Sequence, residues 1–252
     1  MSRKLPAPRS DWAYFLDLDG TLLEFVDHPT PPRDNGRLRE LLSGLLRATG
    51  GAVAVVSGRS LADVDRLLGE DGPRLPAAGQ HGIERRDASG HVTQHPFAAE
   101  RLERAREELA VAVAARPGLV LEHKGASLAL HYRRAPQLGG YAHRLVRSLA
   151  PRLGPRFRIQ AGKRVVEVKP AGRDKGAAVL EFMREPPFRG RAAVFIGDDI
   201  ADEHGFTAVN RLGGVSIKVG PGRTAAHWRL RDVAAVWAWL ASGWVKKPQS
   251  RA

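Results

Sequence analysis

The chain has 252 residues, no cysteine and a formal net charge of +13. The missing cysteines exclude disulfide bonds and thiolate metal sites, and the length allows one large domain or two smaller ones. The positive charge favours an anionic partner, either nucleic acid or a small substrate. Because the basic residues are scattered and neither an RNA-binding aromatic motif nor zinc-finger spacing is present, we expect a small anionic substrate and no nucleic acid.

The chain ends carry no membrane signal. The stretch MSRKLPAPRSDW has charge but no apolar core, unlike a secretory signal. The most apolar late segment, Val233 to Val245, is shorter than the roughly 20 residues that span a bilayer. Because Val236, Trp237 and Leu240 stand at helical spacing, we interpret it as a packed terminal helix. We therefore expect a cytoplasmic protein without a membrane partner; a monomeric state is a separate expectation.

Strands and helices alternate in the first part of the chain. Apolar runs that end at Asp17 and Ser57 predict strands buried on both faces, and leucines at helical spacing predict a helix over residues 37–48 between them. A short helix over residues 61–68, a third strand that enters the turn GQHG, and a hairpin around Ser89-Gly90 follow. This alternation predicts a mostly parallel sheet with helices on both faces.

The pattern changes in the middle of the chain. A long charged helix that begins near Phe97 precedes two strands around Gly125, and a second helix precedes two strands around Gly162. A helix–strand–strand unit that occurs twice predicts a four-stranded antiparallel sheet with two helices on one face.

Alternation then returns, with a helix that begins near Lys175 and a buried strand that ends at Gly197 before a loop dense in acidic residues. We therefore predict a doubly wound, mostly parallel α/β core over residues 1–96 and 168–252. The predicted α+β cap domain, residues 97–167, is inserted into this core.

Polar residues follow the strands at one edge of the predicted sheet, where doubly wound sheets place their sites. These residues are Asp17 and Asp19, then Ser57, Gly58 and Arg59, then Lys175 at a helix start, and finally Asp198 and Asp199. Two carboxylates that crowd together repel each other unless a cation lies between them or one is protonated. Each short pattern alone is common in inert turns and caps, but their joint order favours chemistry on phosphate.

These residues can be assigned roles in phosphoryl transfer. Asp17 can attack phosphorus and form an aspartyl phosphate, while Asp19 can protonate the leaving oxygen and then deprotonate the attacking water. Mg²⁺ prefers hard oxygen ligands, which Asp17, the backbone carbonyl of Asp19 and Asp198 would supply. Lys175 and the Ser57 hydroxyl can hold the remaining phosphoryl oxygens.

The motif DxDGT, the serine-ended strand, the lysine and GDD resemble, in order, the four motifs of the haloacid-dehalogenase superfamily of phosphatases. The segments LEHKGASLALHYR, GKRVVEVKPAGRDKG and IGDDIADEHGF further resemble the trehalose-6-phosphate phosphatase family, and the similarity runs from about Tyr14 to Leu240. The resemblance implies the superfamily fold and Mg²⁺-dependent hydrolysis of trehalose 6-phosphate to trehalose and phosphate.

The resemblance also implies that cap residues recognise the sugar. The residues carried over by motif are Glu122, Lys124, Lys163 and Glu167, with Gly58 and Arg59 as further substrate-binding candidates in the core. From the residues alone, glutamates and lysines on antiparallel strands would instead be interpreted as cross-strand ion pairs on a solvent face. Whether His81, His131 and Arg133 contact substrate stays open at this point.

Two other functions also stay open. One is a phosphatase for another sugar phosphate, such as sucrose phosphate or glucosylglycerol phosphate, or a phosphomutase on the same core. The other is a basic nucleic-acid-binding protein with an inactive core, which would bind DNA or RNA with a steep salt dependence and release no phosphate.

Overall fold

Two β-sheets organise the chain. The computed structural model describes residues 4–24, 36–69, 72–162 and 164–243. The strands are, in chain order, β1 (Trp12–Leu16), β2 (Val53–Val56), β3 (Ala77–Gly79), β4 (Glu84–Arg86), β5 (Val92–Gln94), β6 (Val120–His123), β7 (Leu128–His131), β8 (Phe157–Gly162), β9 (Val165–Pro170), β10 (Ala192–Gly197), β11 (Val215–Val219) and β12 (Trp228–Leu230). The helices are α1 (Gly36–Thr49), α2 (Leu61–Leu68), α3 (Ala99–Ala114), α4 (Gly139–Ser148), α5 (Ala150–Leu153), α6 (Lys175–Phe182), α7 (Glu203–Arg211) and α8 (Val233–Ser242).

The larger sheet has eight strands in the order β12-β11-β10-β1-β2-β3-β4-β5. Neighbours from β12 to β3 are parallel, and β4 and β5 add an antiparallel hairpin at one edge. The predicted mostly parallel sheet is therefore confirmed. Because β10, β1 and β2 are adjacent and parallel, the polar residues that follow them lie at the same edge of the sheet.

Alternate side chains of β1 enter two apolar cores. Tyr14 and Leu16 pack with α1, α2 and α8 on one face, and Phe15 packs with α6 and α7 on the other. The ring of Phe15 stacks on Phe188 with centroids 5.5 Å apart and lies 5.9 Å from the ring of Phe182. Helices thus cover both faces, which is the doubly wound arrangement that the sequence predicts.

The smaller sheet, called the cap sheet here, has the order β6-β7-β9-β8 with every neighbouring pair antiparallel. Val166 and Val168 of β9 share an apolar core with α3, α4 and α5. Because successive strand residues point to opposite faces, Glu167 and Lys169 lie on the face without helices. Strand β9 continues to Pro170, so the domain boundary expected at residue 167 falls inside this strand.

Two elements differ from the sequence-based expectation. The acidic segment after Gly197, expected as a loop, forms a short 3-10 turn, Ile200–Asp202, and then α7. Its acidic residues suit a helix start, because negative charge there interacts favourably with the helix dipole. Phe206 and Val209 of α7 then face the core. The sequence analysis does not predict β12, in which an arginine separates two apolar residues.

Helix α8 closes the large sheet and contacts the turn after β1. The indole Nε1 of Trp237 donates a hydrogen bond to the carbonyl of Leu22 at 2.9 Å, and that of Trp239 donates to the carbonyl of Pro6 at 2.9 Å. The predicted packing of this helix is therefore confirmed. Within the described residues, no helix combines the length and the apolar character that crossing a bilayer requires.

Candidate active site

A buried ion-pair triad lies at the carboxyl edge of the large sheet. Asp17 directly follows β1, and Lys175 begins α6. The Nζ of Lys175 donates to Oδ1 of Asp17 and to Oδ1 of Asp202, both at 2.7 Å, and all three side chains are buried. Because an unpaired charge at this depth would be costly, both carboxylates depend on the ammonium of Lys175. The structure therefore brings together Asp17 and Lys175, as the sequence predicts.

Asp202 fixes the loop that follows β10. Its Oδ2 accepts hydrogen bonds from the backbone N–H groups of Asp198 and Asp199, each at 2.9 Å, and it forms a capping box with Asp199. The Nζ of Lys218 donates to the backbone carbonyl of Asp198. The sequence analysis missed Asp202, although two aspartates three residues apart at a helix start are a capping-box signal.

Asp17, Asp198 and Asp202 form an acidic cluster in which one carboxylate oxygen of each lies within 4.8 Å of the others. Burial, followed by the charge of Asp202, raises the pKa of Asp17 well above its ordinary value and the pKa of Asp198 to about 6. The Oδ1 of Asp198 is buried and has no hydrogen-bond partner among the described residues. Hard oxygens with excess negative charge fit a divalent cation.

Gly20 allows the turn after β1 to approach this cluster. Its φ of +79° lies in the left-handed region, and a Cβ at this position would overlap the carboxylate of Asp198. A residue with a side chain would therefore be strained by its backbone and would also push Asp198 away. This explains why glycine follows the paired aspartates.

The carboxylate of Asp19 lies outside the acidic cluster. It accepts hydrogen bonds from Nε of Arg59 at 2.8 Å and from Nη2 at 2.6 Å, a bidentate ion pair. The backbone N–H of Arg59 in turn donates to Oγ of Ser57 at 3.1 Å. The repulsion expected between Asp17 and Asp19 is therefore relieved by two different cations, since Lys175 holds the first carboxylate and Arg59 holds the second.

A strained turn after β3 connects the large sheet to the cap sheet. Gln80 and His81 have φ values of +48° and +57°, a conformation that is uncommon for residues with side chains. The Oε1 of Gln80 accepts a hydrogen bond from the backbone N–H of Ala126, and Nε2 of His81 lies 3.5 Å from Oε2 of Glu167. The His81 ring also covers Gly58, where a Cβ would lie 2.9 Å from Cε1.

Glu167 is a buried carboxylate, with 8% of its surface exposed. Its Oε1 accepts a hydrogen bond from Oγ of Ser127 at 2.9 Å. Burial would raise the pKa of Glu167, but the contact with His81 and the positive charges of Lys124 and Lys169 outweigh burial and hold the pKa well below its ordinary value. Burial also lowers the pKa of His81, so a neutral imidazole contacts an ionised Glu167 at pH 7.

Two of the other cap candidates, Glu122 and Lys124, contact each other. Strand register places Glu122 and Glu167 on either side of Ala129 in one row, so both lie on the face without helices. Glu122 contacts His131 Nε2 at 2.8 Å and Lys124 Nζ at 3.6 Å, as expected of ion pairs on a sheet surface. Lys163 falls outside the described residues.

Comparison with known proteins places this chain in a family. A family model described as trehalose-phosphatase matches residues 15–234. The chain belongs to the trehalose-phosphatase family. The trehalose-6-phosphate phosphatase of Escherichia coli (strain K12) is 44% identical over 237 residues, which cover 93% of this chain and 87% of the relative. A probable trehalose-phosphate phosphatase of Sinorhizobium fredii (strain NBRC 101917 / NGR234) is 44% identical over 211 residues, or 84% of this chain and 78% of the relative.

Solved structures agree with this family and with the predicted haloacid-dehalogenase fold. The C-terminal domain of the C. albicans trehalose-6-phosphate phosphatase superimposes with a TM-score of 0.78 at 23% identity, over 94% of this chain and 92% of that chain, and thus supports the fold alone. The Aspergillus fumigatus trehalose-6-phosphate phosphatase, crystal form 3, has a TM-score of 0.62 at 27% identity, with 91% of both chains covered.

The sequence analysis did not identify Lys169, a buried lysine on β9 of this trehalose-phosphatase family member. Lys169 is 2% exposed, and its Nζ has no hydrogen-bond partner among the described residues. Burial lowers the pKa of Lys169 to about 8, although Glu167 acts in the opposite direction. Arg158 lies directly opposite Lys169 in the register of β8 and β9, and like charges in this arrangement destabilise a sheet.

We expect Lys169→Met to raise the free energy of unfolding at neutral pH. The pKa of Lys169 falls from 10.5 to about 8 on folding, so burial of the ammonium opposes folding fully below pH 8, and this cost disappears as the pH rises through 10.5. A shift of this size corresponds to about 3 kcal/mol. Urea denaturation at pH 7 and pH 10 measures the gain, which should be larger at pH 7.

The control for this experiment is Arg104→Met, which removes one positive charge from an exposed position on α3. It should leave stability almost unchanged at both pH values. A loss of stability in Lys169→Met at pH 7 would show instead that Lys169 stabilises the fold as a partner of Glu167.

Proposed function

We propose that this chain hydrolyses trehalose 6-phosphate to trehalose and inorganic phosphate. The observation that carries the proposal is the 44% identity to the E. coli trehalose-6-phosphate phosphatase over 93% of this chain and 87% of the relative, which spans both the large sheet and the cap sheet. The buried contact between Lys175 and Asp17 at the carboxyl edge of the sheet supports phosphoryl transfer at that edge. Cytoplasmic location and the monomeric state stay predictions.

In the proposed reaction, Asp17 attacks the phosphorus with the oxygen that Lys175 does not contact. A bond forms between this oxygen and phosphorus, and the bond from phosphorus to the sugar oxygen breaks. Asp19, which takes up a proton from solvent once Arg59 has left it, gives this proton to the departing sugar oxygen. Asp19 then takes a proton from water as the water attacks the aspartyl phosphate, so that phosphate leaves and Asp17 is regenerated. Lys175 and the Ser57 hydroxyl stabilise the phosphoryl oxygens during both steps.

This mechanism requires an exchange of partners at Asp19. Arg59 occupies both carboxylate oxygens of Asp19 in the present arrangement. A guanidinium also binds phosphate oxygens with bidentate geometry. We therefore infer that an incoming phosphate ester draws Arg59 away and leaves Asp19 beside the sugar oxygen. The roles assigned to Arg59 in substrate binding and to Asp19 in proton transfer depend on this one exchange.

Mg²⁺ is the cofactor that we propose for the acidic cluster. Asp17, Asp198 and the backbone carbonyl of Asp19 would hold it, and Asp202 would position the loop that carries Asp198. When bound, the ion would offset the negative charge of the cluster and of the phosphoryl group. The unpartnered Oδ1 of Asp198 supports this assignment.

We further propose that residues 97–167 act as a cap domain that binds the sugar. Glu122, Lys124 and Glu167 offer charged groups to sugar hydroxyls on the cap-sheet face without helices, and Lys163 is assigned to the same task. The contact between His81 and Glu167 indicates that this face lies against the core. Opening would require rotation about the connections near Phe97 and after Pro170, which would admit substrate before the site closes over it.

Phosphate release by the purified chain tests the function. We expect turnover of trehalose 6-phosphate to exceed that of sucrose, glucose and mannose phosphates. Asp17→Asn should lower this turnover by orders of magnitude, because the amide is a poor nucleophile. Asp11→Asn, at an exposed position before β1, is the matched control. Higher turnover of another sugar phosphate would identify that compound as the substrate instead. Near-normal turnover by folded Asp17→Asn would reject the mechanism.

Asp19→Asn separates proton transfer from turn structure. Asparagine keeps the shape of the side chain and the backbone carbonyl, but it cannot exchange a proton in the same way. We expect kcat to fall by roughly 10²–10⁴-fold for trehalose 6-phosphate and much less for an aryl phosphate, whose leaving group needs little protonation. Equal losses in kcat on both substrates would count against Asp19 as the general acid.

Glu167→Gln tests sugar recognition by the cap. The glutamine keeps the size of the side chain but loses the charge that Ser127 and His81 surround. We expect kcat/KM to fall by roughly tenfold or more for trehalose 6-phosphate and to change little for an aryl phosphate, which lacks the sugar. Glu103→Gln, on the exposed face of α3, is the control. Parallel losses on both substrates would assign Glu167 to the fold instead.

A further inference from the structure

Two cations lie side by side on the cap-sheet face that contacts the core. Lys169 of β9 and Arg158 of β8 are paired directly across the sheet. The face belongs to the catalytic side of the molecule, because Glu167, two residues before Lys169, contacts His81 of the core. The charges of Lys175 and Asp199, both at the carboxyl edge of the large sheet, also act on Lys169. The pair is therefore close to the site at which phosphate chemistry is proposed.

The nearby anion does not satisfy Lys169. Glu167 is engaged by the Ser127 hydroxyl and by His81, and it makes no hydrogen bond to the ammonium. An ammonium carries three donors, and all three of Lys169 are without a protein acceptor among the described residues. Burial of such a group lowers stability unless a ligand or another contact compensates for it.

The guanidinium of Arg158 makes only long hydrogen bonds among the described residues. Its Nη1 lies 3.4 Å from Nε2 of His204, and its Nη2 lies 3.4 Å from the carbonyl of Arg173, both at the long limit of hydrogen bonding. Its Nε is buried without a partner. Two adjacent cations with unused donors on one face form a concentrated positive charge that a dianion with several oxygens would satisfy.

We propose that Lys169 and Arg158 form a binding pair for a phosphoryl dianion at the boundary between the cap sheet and the core. This inference rests on the proposed function, because the dianion is either the phosphate group of the sugar-phosphate substrate or the inorganic phosphate that hydrolysis releases. Lys169 supplies a compact charge with three donors, and Arg158 supplies a planar fork that matches two phosphate oxygens. The destabilising like-charge pair is thereby neutralised when the ligand binds.

Calorimetric titration with inorganic phosphate, with and without Mg²⁺, tests the pair. Lys169→Met should weaken phosphate binding by about tenfold or more, because it removes charge-assisted hydrogen bonds. Lys169→Arg, which keeps the charge, should restore most of the affinity. Arg104→Met is the control for the loss of one positive charge from the same part of the chain, and it should bind phosphate as the unsubstituted protein does.

Steady-state kinetics with the same variants distinguish the two sources of the dianion. If the pair holds the ester, KM for trehalose 6-phosphate and for an aryl phosphate should both rise in Lys169→Met. If it holds the product, inhibition by phosphate should weaken while KM stays constant. Unchanged phosphate affinity together with unchanged KM in Lys169→Met would overturn the proposal.

The anion-binding pair and the proposed reaction can be rejected independently of each other. A protein that releases no phosphate from any sugar phosphate, yet binds inorganic phosphate through Lys169, would reject the reaction and keep the anion pair. Conversely, full turnover of trehalose 6-phosphate by Lys169→Met with unaltered phosphate binding would keep the reaction and reject the pair.

Discussion

The ammonium of Lys175 is the interaction on which the catalytic edge of the molecule depends. It joins the end of β1 through Asp17, the start of α6 through its own backbone, and the loop after β10 through Asp202. Both buried carboxylates depend on this ammonium, since removing one partner of a buried pair typically costs about 3–5 kcal/mol. The contacts that hold β1, α6 and the loop after β10 together therefore also fix the group proposed as nucleophile.

Charge distribution explains the remaining layout of the site. Asp17 and Asp19 are separated by one residue, yet their carboxylates turn to different cations, Lys175 and Arg59. This divergence leaves the buried acidic cluster to be completed by Asp198 rather than by the Asp19 side chain. The cap sheet adds positive charge at Lys169 and Arg158, opposite the acidic edge. A phosphoryl dianion bound by this pair would thus lie between carboxylates on the core and cations on the cap.

The sequence predicts those features that depend on local pattern. Alternating apolar runs reveal the strands of both sheets, and the convergence of parallel strand ends brings Asp17, Ser57 and Asp198 to one edge before any coordinate is known. Contacts set by cross-strand register or by side-chain direction in turns are not encoded locally. The pairing of Arg158 with Lys169 and the turn of Asp19 toward Arg59 are of this kind. The catalytic and substrate-binding roles of the individual residues stay predictions.

The hydrogen bond from Trp237 to the carbonyl of Leu22 has a practical consequence. Leu22 lies in the turn that Asp17 begins, so the indole is connected through a few backbone bonds to the site itself. Indole emission depends on polarity and on hydrogen bonding around the ring. A ligand that moves this turn would therefore change the emission of Trp237, which could be followed without an attached dye in a variant whose other four tryptophans are replaced.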